Sequence, residues 1–116
     1  MKKNIITGLA LAILMAVPTT VTAEEFWKSG TVSRVLVDAK YYGKCMINLP
    51  FDEYAGCKGG WISLDCQGEY LEKGDGDRML NLALIAQTME KKVSVKIDNS
   101  KKHNDYCIAV RFDILK

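Results

Sequence analysis

Histidine is nearly missing from this chain: one residue, His103, in 116. It stands in a Lys/Asn/Asp-rich segment, where it reads as a surface histidine rather than a general base. The four cysteines, Cys45, Cys57, Cys66 and Cys107, are spaced by 12, 9 and 41 residues. They make no paired CxxC knuckles, so with a single histidine to help, a zinc site is a poor fit. A Cys/His nucleophilic pair needs a free thiol, which is lost if all four are oxidised. Beyond the N-terminal segment no apolar run approaches the roughly 18 residues of a spanning helix. Internal repeats, low-complexity tracts and linkers are absent as well. These gaps argue against an enzyme, a bound metal or cofactor, and a membrane span in the processed chain.

What is present begins with a secretory signal over residues 1–23. Lys2 and Lys3 form a positive start, residues 5–17 an apolar stretch, and Pro18 breaks it. Val21 and Ala23 supply small residues at the −3 and −1 positions of a signal peptidase site. An uncleaved anchor is the competing reading, but the apolar stretch is short for it. Cleavage after Ala23 leaves a domain over 24–116, exported to the periplasm or secreted. The 16 Lys and Arg then fall to 14, against 14 Asp and Glu. A net charge of zero gives no electrostatic footprint for nucleic acid. An even cysteine count in a short exported chain reads as two disulfides.

Along the mature part, 31–38 (TVSRVLVD), 44–49 (KCMINL) and 61–66 (WISLDC) read as strands. The segment 50–60 is a Gly-containing loop, and 68–77 a polar, Gly-rich one. Over 78–90 the period changes to helical, with Met79, Leu82, Ala83, Ala86 and Met89 on one face and Asp77 as the N-cap. Strands follow at 93–98 and 106–115, the second with Ile108, Val110, Phe112 and Ile114 on one side. Between them 99–105 is a polar loop. The order β-β-β-α-β-β predicts a mainly β (α+β) domain, a five-stranded OB-fold-like barrel with one helix between strands 3 and 4.

The cysteines test this topology. In an antiparallel hairpin of the second and third strands, pairing Leu49 with Ile62 sets Cys45 opposite Cys66. In such a barrel the third and fifth strands run parallel, which brings Cys57 near Cys107. The expected bridges are therefore Cys45–Cys66 and Cys57–Cys107, with a local Cys45–Cys57 bridge as the competing pairing.

Other features have plainer readings. Gly74-Asp75-Gly76-Asp77 is faintly calcium-loop-like but lacks the late glutamate of such loops. Glu69, Glu72, Asp75 and Asp77 read as solvated loop charges rather than glycosidase carboxylates. The helix carries Leu80, Leu84 and Ile85 outside its core face, so it needs cover on more than one side. Trp27, Tyr41, Tyr42, Tyr54, Trp61 and Tyr70 fall at strand ends or on outward phases. Trp61 is opposite in phase to Ile62 and Leu64.

The stretch 31–114 resembles the B subunits of subtilase cytotoxin and typhoid toxin. The likeness runs through the Val-rich first strand, Cys45 followed by Met46-Ile47, the strand ending in Cys66, Leu82-Ala83 in the helix, and Val93-Ser94-Val95-Lys96-Ile97. It implies an OB-fold, a homo-pentameric ring, recognition of a cell-surface glycan, and an enzymatic toxin A subunit as partner. In those subunits a serine at the first strand helps hold sialic acid. Ser29, beside Trp27 and Lys28, lies nearby, although the alignment needs a gap there. Cys57 and Cys107 have no match among the toxin cysteines. The expected function is thus a non-enzymatic exported glycan binder with Ser29, Trp27 and Tyr42 as contacts. The alternative is a monomeric periplasmic inhibitor or partner-binding protein using the 99–105 loop.

Overall fold

The computed structural model describes residues 22–116; the apolar leader lies outside the described residues. Six strands and one α-helix are found there: β1 (Glu25–Thr31), β2 (Arg34–Val37), β3 (Cys45–Asn48), β4 (Trp61–Ser63), α1 (Asp75–Thr88), β5 (Lys92–His103) and β6 (Tyr106–Ile114). They form a mainly β sheet in the order β1-β5-β6-β4-β3-β2. All neighbours are antiparallel except β4 and β6, which run parallel at Ser63↔Ile108.

The expected first strand, 31–38, is divided. Thr31 ends β1 against Lys92 of β5, and Arg34 opens β2 against Asn48 of β3. Between them Val32 turns into the core, 2 % exposed. The strand count is therefore six rather than five. β1 escapes the sequence pattern because Lys28 and Gly30 stand where alternation would call for apolar residues; it is held instead by its ladder to β5.

The β3–β4 hairpin pairs Ile47 with Ile62, a two-residue shift from the expected register. An even shift keeps Ile47 and Ile62 on the core face. Cys45 then meets Leu64, whose N–H donates to the Cys45 carbonyl at 3.0 Å. The chain next bends through a left-handed Asp65 (φ 53) and carries Cys66 back toward Cys45. The bridges are Cys45–Cys66 and Cys57–Cys107, with Cα separations of 5.6 and 5.4 Å. The local Cys45–Cys57 pairing is not formed.

In β6 the expected alternation breaks at Val110. Lys96 pairs with Arg111 but Ile97 with Ala109, so Val110 is an extra residue in a β-bulge. The bulge shifts the phase: Cys107 and Ala109 join Phe112 in the core cluster, while Ile108, fully buried too, lies outside that cluster and Val110 is half-buried. That shift is what aims Cys107 at Cys57. The 99–105 segment is not a loop either. β5 runs on to His103, and a two-residue turn at Asn104 (φ 52) and Asp105 (φ 71) closes the hairpin.

The core gathers Ile47, Leu49, Ile62, Leu64, Val93, Val95 and Ile97 under the Met79, Ala83 and Ala86 face of α1. The helix starts at Asp75 after Gly74 rather than after an Asp77 cap. The Gly74 carbonyl accepts the first helical bond, from the Arg78 N–H at 3.1 Å, and the first turn packs tightly, since a Cβ on Gly76 would lie 2.5 Å from the Leu64 carbonyl oxygen. Asp75 and Asp77 in the first turn suit the positive helix end. Met89, expected in the core, is the C-terminal flank and 59 % exposed.

Candidate binding site

A cavity of about 210 Å³ opens on the sheet face away from the core, lined by Arg34, Leu36, Tyr42, Met46, Trp61 and Tyr106. The register explains it. Arg34, Asn48 and Trp61 form one row across β2, β3 and β4, and Leu36, Met46 and Ser63 the next. The intervening row, Val35–Ile47–Ile62, points into the core. The Arg34 guanidinium lies 5.3 Å from the Trp61 ring centroid, a cation–π spacing. Across the mouth, Tyr42 and Tyr106 meet edge to face at 5.9 Å, and the Lys58 ammonium lies 5.2 Å from Tyr106.

Tyr42 reaches this place through an unusual backbone. Tyr42, Gly43 and Lys44 all have positive φ (62°, 69° and 72°). Such a run persists only where its surroundings hold it. The Tyr42 N–H donates to Asn104 Oδ1 at 2.9 Å, and the Ser63 hydroxyl donates to the Tyr42 carbonyl at 2.8 Å. The Gln67 N–H donates to the Gly43 carbonyl at 2.9 Å. Gly43 is required for space as well as for φ. A Cβ there would stand 2.6 Å from both His103 Cδ2 and Ser63 Oγ.

Behind Gly43 lies a buried hydrogen-bonded pair. His103, 8 % exposed and not on the surface as expected, donates from Nε2 to Asp65 Oδ1 at 2.7 Å. The same carboxylate accepts the N–H groups of Glu69, Tyr70 and Leu71 at 3.2, 2.8 and 2.8 Å. Burial pushes the Asp65 carboxyl up, but these donors together outweigh it and hold the group below the usual carboxylate range. The Tyr70 ring lies 5.0 Å from the imidazole, and Glu69 Oε2 lies 3.4 Å from His103 Nδ1.

Of the three expected contacts, Tyr42 lines the cavity. Trp27 and Ser29 lie on the outward face of β1, apart from it. Trp27 is beneath the Arg111 guanidinium at 5.5 Å, and the Ser29 hydroxyl donates to Ser94 Oγ at 3.1 Å. Trp61 sits outward, as its phase implied. Arg34 and Tyr106 were not singled out in the sequence. Arg34 carried a signal, as the polar phase of TVSRVLVD; Tyr106 gained its position only from the hairpin turn. The four aromatic and cationic groups can stack on a ring-sized ligand and engage its polar edge. No family model, curated protein or solved structure matches the chain.

Proposed function

We propose that the mature chain is an exported, non-enzymatic OB-fold binding protein, akin to a toxin B subunit, that holds a glycan in the Tyr42–Trp61–Tyr106 cavity. The carrying observation is the position of that cavity. It lies on the face of β3 and β4, between the 38–44 loop and the 104–105 turn, where OB barrels receive saccharides and oligonucleotides. Zero net charge favours the saccharide. The barrel reading is supported by the sheet edges: β1 and β2 are successive segments joined at Val32–Ser33, as in a bent first strand of a barrel. The helix adds a seal, since Gln87 Nε2 donates to the Ser33 carbonyl at 3.1 Å.

Assembly into a ring has its own support. Leu84, Ile85 and Met89 are 44, 48 and 59 % exposed on one side of α1 and border a groove of about 360 Å³ with Thr88. Apolar side chains grouped on one face are a contact surface. In the ring reading they meet neighbouring copies, and an A subunit is the further partner that the resemblance implies. The same face also suits the second reading, a monomer that binds one protein partner in the periplasm. Native mass spectrometry of the mature, oxidised protein separates them. A mass near five chains supports the ring; a monomer at tens of micromolar overturns it. Signal above background on a glycan array supports the ligand class, and a folded protein that gives none overturns it.

A further inference from the structure

We infer that processing after Ala23 builds a charged anchor for the edge strand β1: the new α-ammonium of Glu24 docks on Asn99. The Glu24 nitrogen already lies 2.7 Å from Asn99 Oδ1. Asn99 is only 5 % exposed. Its backbone N–H donates to the Glu24 carbonyl at 3.2 Å, so residue 24 is gripped at both its polar groups. The Asn99 amide is fixed from the other side by its Nδ2 donating to the Ala55 carbonyl at 2.9 Å. That bond survives removal of the leader and keeps Oδ1 aimed at Glu24. Nδ2 also reaches the Thr22 carbonyl at 3.1 Å, a contact that cleavage removes.

The cut itself is accessible. Thr22, Ala23 and Glu24 are exposed and have no regular structure, and β1 begins at the next residue. Water adds to the Ala23 carbonyl carbon under a signal peptidase, and the Ala23–Glu24 C–N bond breaks. The carboxylate leaves on Ala23, and the amine stays on Glu24 and takes up a proton. A nitrogen with one N–H becomes an ammonium with three. A charged donor to the same acceptor makes roughly twice the hydrogen bond of a neutral one. The surroundings favour the charge. The recess of about 230 Å³ beside it is lined by Glu24, Glu25, Asp98 and Ser100, with Ala23 the residue that departs. Glu25 shares its charge with Lys96 at 2.7 Å, and Asp98 Oδ1 holds the Ser100 hydroxyl at 2.6 Å. Chain ends fray unless they are tied down. Here the tie sits at the first β1–β5 pair, Glu25↔Asp98.

The test compares two oxidised proteins, one beginning at Glu24 and one beginning at Ala23, which displaces the ammonium by one residue and adds only the Ala23 residue. Export of the full chain with its own leader should yield a product whose intact mass starts at Glu24. The Ala23-start protein should unfold with an equilibrium constant about fivefold larger in urea, the difference between a charged and a neutral hydrogen bond. Its α-amine should also react faster with an amine-selective aldehyde under native conditions, while both proteins react alike when unfolded. A native product starting elsewhere, or equal urea midpoints and equal native labelling rates, would overturn the inference.

Discussion

Asp65 and His103, 38 positions apart, share a 2.7 Å hydrogen bond with both side chains buried. The pair ties the end of β5 to the 65–71 turn, whose N–H groups wrap the Asp65 carboxylate. It also forms the wall against which Gly43 packs, and so sets where Tyr42 stands.

Replacing Asp65 with Asn should lower stability by about 3 kcal/mol, because the imidazole and three backbone donors lose their common anion. The acid limb of stability should change with it. The Asp65 carboxyl is held below its ordinary value, so its contribution is fully present above about pH 4, the unfolded Asp value. It drains away as the pH falls through the lower folded value. Urea midpoints measured from pH 2 to 7 should therefore fall more gently with acid in Asp65→Asn than in the parent.

The two bridges should differ in weight. Cys57–Cys107 closes 50 residues and Cys45–Cys66 closes 21. Loop-closure entropy gives about 4 and about 3 kcal/mol respectively. Paired Cys→Ser variants, followed by urea unfolding, should rank in that order. Equal losses would point to packing of the sulfurs rather than chain entropy.

Gly43→Ala probes the strained turn. The added methyl meets His103 and Ser63 at 2.6 Å, in a backbone region an L-residue resists. A loss of at least about 2 kcal/mol is expected in thermal or urea unfolding.

The exposed helix face has a separate readout. Ile85→Glu and Met89→Glu lie outside the core of the single chain and should leave its secondary structure, read by far-UV circular dichroism, unchanged. If the ring forms through this face, the native mass of each variant should drop to that of a monomer. A ring that survives both changes would place the contact elsewhere.

Much of this architecture was readable because it rests on local patterns. Alternation in KVSVKID and VLV gave strands, and the Met79–Ala83–Ala86 spacing gave the helix. Cysteine parity, combined with strand direction, gave both bridges even though the hairpin register was off by two residues. What escaped the sequence depends on backbone that breaks a period. The Val110 bulge shifted the β6 phase, and the Val32 turn split one strand into two. Positive φ at Asp65 and Asn104 bent the chain where no glycine signalled it. His103 was misread for the same reason. Its polar neighbours suggest a loop, and only the distant Asp65 makes burial affordable. The cavity was half legible: Tyr42 and Trp61 stood out as aromatic, whereas Arg34 and Tyr106 needed the register to bring them together.

The most direct measurement is a glycan array read with the mature, oxidised protein and with its Trp61→Ala and Trp27→Ala variants. Saccharide binding is expected in the parent. It should weaken by about 30-fold on loss of the Trp61 ring, the scale of an aromatic hot spot of about 2 kcal/mol. Trp27→Ala, outside the cavity, should bind as the parent does. A folded parent that binds no saccharide, or binding that survives Trp61→Ala and fails in Trp27→Ala, would contradict the assignment of the site.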